Sequence, residues 1–589
     1  MNELLPAQIR GFISVMHREA AFMLDPGILK SNDFKRDSAF LRECSHLVVQ
    51  MDLPRCGKEF NRLLALGQED EFSFSAVDGL TQPLPDRIFR YFLEGVKEKN
   101  PSAVRALRQV LDLLSKLETS TLSGTDEAIA AFVARNASLP EEIPESQLIR
   151  NASACAAILL WGIDWTDIVP RHGPGAVATR EKPWMKMGFS RIYKSMEGLY
   201  PFCDYMFLNY THLCDELTSL DRLVEHEYPV TRLVAVPKDF RGPRLISAEP
   251  LETQWIQQGQ ARLLMDRMEH HPLSKGHVNF ASQEVNRRLA LSSSRDGAYC
   301  TIDLKDASDR VSTALVRAIL PKAAFEHLSA SRSHATQLPQ GVEVKLRMFA
   351  PMGSAVCFPI ESIVFYSVVL AALQRRELPK RSLTHETLRD LMRHVFVYGD
   401  DIVVESSCYE TTITALEEVG LMVNHQKCCA GPRFRESCGM DAYDGQDVTP
   451  VRLKHYPCRR SPVALASSCD YINRLNELGL VRCATFLLKW TEEEYGNLPR
   501  SVNDAPLSIK VRTFTEAALY NHSTFKFRKN RGLQCYEYKV PMLSFSYAKS
   551  RLPSWSEAFR AILLNTQADP RGYPVPHRVR LTTRWRILN

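Results

Sequence analysis

The sequence predicts an α+β protein, with an antiparallel sheet in the middle of the chain and mainly helical regions on either side. Two observations carry this. Short β-branched runs cluster between residues 231 and 453 and are joined by tight-turn signals. Outside that stretch apolar residues recur at helical spacing, as in Val104-Arg105-Ala106-Leu107-Arg108-Gln109-Val110-Leu111. With 45% apolar and 24% charged residues over 589 positions, the chain has the composition of an ordinary globular protein, long enough for several domains.

Composition also removes some function classes. The 15 cysteines include no C-x-x-C pair, which argues against a cysteine zinc site and for reduced thiols in a cytosolic protein. Met1 to Pro6 has no basic stretch followed by an apolar core, so it does not read as a secretion signal. The longest apolar run, Ile363 to Leu373, is too short to span a bilayer, and no membrane partner is expected. A P-loop signature is missing, which disfavours an ATPase or helicase. The net charge of +6 points to nucleic acid only if the basic residues cluster.

In chain order, residues 1 to about 150 read as a helical scaffold without chemistry, with Asn100-Pro101-Ser102 as a helix start. Arg171-His172-Gly173-Pro174-Gly175-Ala176 reads as a turn, although its basic flank would suit a phosphate. Thr231 to Ile246 holds two β-like runs around a loop with Lys238, Arg241 and Arg244. In isolation such a loop is a solvated hairpin tip; beside a nucleotide it would clamp a triphosphate, since guanidinium forks match phosphate oxygens.

Ala298 to Leu304 reads as a strand that ends at Asp303, and a helix is expected to start near Ser308 as its N-cap and end by Pro321. Met352-Gly353-Ser354-Ala355 is a small-residue loop leading into an apolar helix from Phe358 to Leu373, with Glu361 and Ser362 early in it. His394 to Val404 reads as a hairpin with Gly399-Asp400 at the turn, because apolar β-branched runs flank a Gly and two carboxylates. Gly-Asp alone is an ordinary turn. The adjacent Asp401 adds a like charge, which asks for a cation.

Downstream, Ile413 to Gly420 is helical, Leu421-Met422-Val423 reads as a strand before Lys427, and Phe434 to Met440 begins another hairpin. Tyr471 to Lys489 is helical. The tail from Arg571 to Asn589 carries Arg571, Arg578, Arg580, Arg584 and Arg586 without an acid, which suits RNA backbone contact or a solubilising tail.

A basic hairpin, a strand ending in Asp303, a Gly loop with its helix, a Gly-Asp-Asp hairpin, Lys427 and a further hairpin follow one another. That order resembles the palm of right-handed nucleic-acid polymerases. The match narrows with Thr301-Ile302-Asp303-Leu304, Ala307-Ser308-Asp309, Val397 to Val404, Phe434 to Gly439, Asp447 to Leu453, and Val236-Pro237-Lys238 with Glu249-Pro250. These resemble the replicases of positive-strand RNA bacteriophages, the levivirus family, over about Thr231 to Leu453. Cys357 departs from the pattern, which has Thr there.

The resemblance implies fingers, palm and thumb: 1–230 as an N-terminal helical region and outer fingers, 231–297 as fingers with the basic loop, 298–460 as palm, and 461–589 as thumb and basic tail. It implies RNA-directed RNA synthesis from NTPs on a single-stranded RNA template, without a primer, in the cytoplasm of an infected bacterium. Host elongation factors Tu and Ts and a host ribosomal protein would be its partners. Asp303, Asp400 and Asp401 would hold two Mg²⁺ ions, or Mn²⁺, about 3.5–4 Å apart. Lys427 would act as general acid, and Lys238, Arg241, Arg244, Ser308, Asp309 and Gly353 would surround the nucleotide.

Two rivals are a reverse transcriptase and a non-catalytic RNA-binding protein on a polymerase fold. The first shares Asp303-Leu304-Lys305-Asp306-Ala307 but usually has an aromatic where this chain has Ser308, and another residue where it has Gly399. The second would not need Asp303, Asp400 and Asp401 intact.

Overall fold

A computed structural model describes residues 7–45, 47–85, 87–118, 124–173, 175–181, 185–186, 188–207, 210–215, 222–239, 242–379, 383–458, 461–501, 505–510, 525–546 and 578–587. The fold is α+β, and two large cores organise it. The N-terminal region is helical as expected, and Asn100 caps Pro101–Leu111 by accepting from the Ser102 N–H at 2.9 Å. These helices do not form a body of their own. Phe12, Phe60, Leu107 and Val110 share one core with Tyr443, Val451, Leu487 and Trp490 from the last third of the chain. A buried ion pair ties the two ends together: Arg108 Nη2 lies 2.7 Å from Asp441 Oδ2, and both side chains are 1% exposed.

The second core runs from Leu148 to Cys428 and carries the central sheet. That sheet is antiparallel, in the order Tyr299–Ile302, Asp401–Glu405, Val395–Tyr398. Its middle strand is covered on both faces, so Ile402, Val403 and Val404 are all buried without alternation. Behind it lies the helix Cys357–Glu377. Among the described residues this is the one helix long and apolar enough to cross a membrane, yet 89% of its most apolar window is buried within the protein. It is the core helix of this half.

The basic hairpin consists of Val230–Asp239 and Gly242–Ala248, and it extends into a four-stranded sheet through a parallel pairing with Ala335–Gln337. Phe434–Ser437, Met440–Tyr443 and Gln446–Asp447 form a second antiparallel meander.

Four expectations need correction. Ser308 does not cap a helix: Asp306 adopts φ +51°, a one-turn helix Ala307–Arg310 follows, and the true cap is Ser312, which accepts from the Leu315 N–H at 3.0 Å. Leu421-Met422-Val423 is not a strand; one bridge joins Val423 to Leu304. Tyr471 to Lys489 is two helices, Pro462–Glu477 and Val481–Tyr495, because Gly479 takes φ +78° between them. The basic end of the chain is not a free tail over Arg578–Arg586, which forms a strand against Cys535–Ser546; Arg571 lies outside the described residues.

Candidate active site

The hairpin of Val395–Tyr398 and Asp401–Glu405 pairs Tyr398 with Asp401, so Gly399 and Asp400 form a two-residue turn, as the sequence predicts. Gly399 has φ +61° while Asp400 does not have a positive φ, the pattern of a turn with Gly in its first central position. Glycine is required for a second reason. A Cβ on residue 399 would lie 2.0 Å from Phe358 Cε2. The turn is pressed against the start of the core helix, where Ser362 Oγ accepts from the Gly399 N–H at 3.2 Å and itself donates to the Phe358 carbonyl at 2.9 Å.

Asp303 follows directly on Tyr299–Ile302, whose last residue pairs with Ile402. Register therefore carries Asp303 to the same end of the sheet as Asp400 and Asp401. Asn424 fixes it twice, its Nδ2 donating to Asp303 Oδ2 at 2.6 Å and its backbone N–H to the Asp303 carbonyl at 2.9 Å. Lys427 Nζ stands 3.6 Å from Asp303 Oδ1 and is half exposed.

The second meander reaches the site through its own two-residue turn, Cys438-Gly439, where both residues have positive φ. This turns the Cys438 N–H toward Asp401, and it donates to Oδ2 at 3.2 Å. Enclosure raises the Asp401 carboxyl to about 6, with Asp400 adding to the rise and Cys438 opposing it. Asp400, exposed at the tip of its turn, is raised by partial burial of its carboxyl and by Asp303, while Lys427 and Arg244 act against the rise.

Two further acids lie within electrostatic reach of this cluster or of one another. Glu361 is 6% exposed, and burial, then Asp400 and Asp309, push its carboxyl well above the usual range. Asp309 is raised by burial and held down by Arg135, whose Nη2 donates to Asp309 Oδ2 at 2.9 Å. Arg135 Nη1 also stands 3.4 Å from Asp306. Arg135 comes from the helix Thr125–Ser138, in a region that the sequence reading left without chemistry. No local signal marks it, because its partners lie some 170 positions away. Burial, then Glu361 and Asp309, push the Cys357 thiol up, and Ser308 opposes the rise.

Gly353 has φ +122°, and a Cβ there would lie 2.2 Å from the Ser247 carbonyl oxygen. The loop is strapped to the basic hairpin, with the Ser247 N–H donating to the Met352 carbonyl at 2.8 Å. That strap carries Arg244, on the strand opposite Val236, to within electrostatic reach of Asp400. Lys238 is exposed on the other strand, and Arg241 lies outside the described residues.

Among the described residues no three His, Cys, Asp or Glu side chains converge closely enough to enclose a metal ion as they stand. The donor set nonetheless fits a hard divalent cation. Asp303, Asp400 and Asp401 offer only carboxylate oxygens; burial lifts Asp400 and Asp401, and repulsion from the neighbouring carboxylates adds to the rise. A cation would remove that repulsion.

Comparison with known proteins places this segment. Residues 205–490 match the family model described as RNA replicase, beta-chain. The RNA-directed RNA polymerase subunit beta of Escherichia virus Qbeta is 30% identical over 335 residues, covering 56% of this chain and 52% of the relative. The corresponding subunit of Qbeta virus (strain MX1) is 29% identical over 293 residues, 50% of this chain and 45% of the relative. The RNA-directed RNA polymerase beta chain of Escherichia phage MS2 is 32% identical over 219 residues, 37% of each. The matches thus span about half the length of these relatives or less. Residues 205–490, which hold the three aspartates and all their neighbours described above except Arg135, are similar to the RNA replicase β-chain family.

Proposed function

We propose that the protein is an RNA-directed RNA polymerase that adds NTPs to an RNA strand copied from a single-stranded RNA template. One observation carries the proposal: register and two turns bring Asp303, Asp400 and Asp401 to one end of an antiparallel sheet, beside Lys427 and Arg244. In this reading the three aspartates lie in the palm, the basic hairpin belongs to the fingers, and the last helices to the thumb. Asp303, Asp400 and Asp401 would hold two Mg²⁺ or Mn²⁺ ions, which when bound supply activation of the 3′-hydroxyl and charge stabilisation.

The protein's own residues do the rest. Lys238, Arg241 and Arg244 neutralise the triphosphate as negative charge moves to the leaving pyrophosphate. Lys427 Nζ delivers a proton to the pyrophosphate oxygen released when the α-phosphorus bonds to the 3′-oxygen. Ser308 leaves room for a ribose 2′-hydroxyl and offers it a donor and an acceptor. Asp309 is engaged by Arg135, so its part is to fix the charge beside Ser308. Synthesis without a primer, the host elongation factors Tu and Ts, a host ribosomal protein and the cytoplasm of an infected bacterium complete the reading, on family resemblance.

The test is NTP incorporation on an RNA template, with dNTPs in parallel. The proposal expects strong preference for NTPs and loss of incorporation in Asp400→Asn with the fold retained. Lys427→Leu should slow single-turnover chemistry by about 10²–10⁴-fold. A preference for dNTPs would return the case to a reverse transcriptase, and no incorporation of either by the folded protein with its partners supplied would favour a binding protein.

A further inference from the structure

The C-terminal sheet has two unlike faces. Its strands are Phe527–Asn530, Cys535–Ser546 and Arg578–Arg586, all antiparallel. Residues directly opposite one another share a face. One face carries Arg528 opposite Glu537, and Lys539 opposite Trp585. It is closed on itself: Arg528 donates to Glu537 at 2.8 Å and lies 4.4 Å from the centre of the Trp585 ring. The other face carries Phe527, Tyr538 and Arg586 in one row and Lys529 opposite Tyr536 in the next.

On this second face Phe527 is 64% and Tyr536 53% exposed. Phe527 lies 5.9 Å from the Tyr536 ring and 6.2 Å from the Tyr538 ring, so three aromatic side chains make one patch. By register Lys529, Arg584 and Arg586 share this face with the rings. Over residues 525–542 and 582–587 the single acid is Glu537, on the other face, where Arg528 neutralises it.

Exposed aromatic rings at the surface of a folded sheet are unfavourable in water unless something covers them. Cations without acids exclude a basic or neutral protein surface and select a polyanion. Exposed aromatic rings beside cations select a polyanion with exposed π-faces, which a duplex or a lipid headgroup does not have.

We propose that this face is a binding platform for single-stranded nucleic acid, separate from the catalytic aspartates: unpaired bases stack on Phe527, Tyr536 and Tyr538 while Lys529, Arg584 and Arg586 meet the phosphates. Only the choice of RNA over DNA rests on the polymerase reading. The platform would hold template or product strand away from those aspartates and so raise the protein's grip on long strands over short ones.

The experiment uses the full chain carrying Asp400→Asn, without nucleotides, so that success or failure of catalysis leaves the result untouched. Fluorescence anisotropy with a uridine-rich 20-nucleotide RNA gives the Kd over a range of salt. Phe527→Ala with Tyr536→Ala should weaken binding at least tenfold with the salt slope kept. Lys529→Gln with Arg586→Gln should lower the slope by about one to two. In case the aromatic variant unfolds, crosslinking of a 4-thiouridine strand to the unaltered face should map to peptides within 525–542. Single-stranded DNA of the same length separates RNA-specific binding from general single-strand binding, and either outcome supports the platform. Unchanged affinity in a folded aromatic variant, crosslinks confined to other peptides, or equal competition by duplex RNA would overturn it. A face that then takes up no strand would be a protein-docking surface instead.

Discussion

Two hairpins meet at the carboxylates, and they solve the same local problem differently. Gly399-Asp400 and Cys438-Gly439 are both two-residue turns with a positive φ, and each positions a group at Asp401 or beside it. In the first, glycine answers to its surroundings as well as to its backbone, since Phe358 fills the space where a Cβ would go. In the second, nothing lies within 4 Å of a Cβ at Gly439, and the functional group is a backbone N–H at Cys438. A turn can therefore be fixed by tertiary packing or by φ alone, and only substitution tells the two apart.

Of the substitutions that bear on this comparison, the largest effect is expected from Gly399→Ala. The left-handed φ costs about 1–2 kcal/mol and overpacking against Phe358 about 1–3 kcal/mol. Because the displaced atoms carry Asp400 and Asp401, nucleotide addition should fall by at least about 10²-fold. Thermal unfolding and single-turnover rates check this. Adding Phe358→Ala should recover part of the stability if the clash is real. No recovery would mean that φ alone sets the demand, as in the other hairpin.

This contrast also explains what the sequence made legible. The Gly-Asp-Asp hairpin is a local code of β-branched arms around a turn residue, and Asp303 at a strand end is equally local. The Ser308 cap was misplaced because Asp306 enters the left-handed region, which side-chain preference does not announce. Arg135 and the Cys438 N–H had no signature at all: one acts across 174 positions, the other through a backbone atom. The shared core of the two chain ends was hidden likewise, since Arg108 reaches the Val448 carbonyl from 340 positions away.

Next in size is the response to metal, which asks whether the two turns build one site. Mg²⁺ at a hundredfold excess over its Kd should stabilise the folded protein by about 2.7 kcal/mol. A Tm rise of that order, lost in Asp400→Asn, is the expected result. The same rise in both proteins would place the ion elsewhere.

Arg135→Ala probes a part of the site that neither hairpin supplies. It leaves Asp309 beside Glu361 without its countercharge. Discrimination between NTP and dNTP should fall by about ten- to a hundredfold, the scale of a lost charge-assisted contact of about 1.5–3 kcal/mol. Arg135→Lys should restore part of it. Equal loss for both substrates would make Arg135 a purely structural link.

The smallest effect is expected from Gly439→Ala, and it is the sharpest test of the comparison. Gly439 has φ +74°, so alanine meets the left-handed penalty of about 1–2 kcal/mol. Alanine also restricts the unfolded chain, which offsets about 0.4–1 kcal/mol. Open space around the position adds no steric term. The net loss should be about 1 kcal/mol, read from urea unfolding. The Cys438 N–H stays on Asp401 as long as the turn keeps its shape, so nucleotide addition should stay within about threefold of the unaltered protein, a difference under about 1 kcal/mol of barrier. Gly439→Asn, which tolerates the left-handed region better, should be milder still. If Gly439→Ala instead lost as much activity as Gly399→Ala, the second turn would be as tightly packed as the first, and the distinction between them would fail.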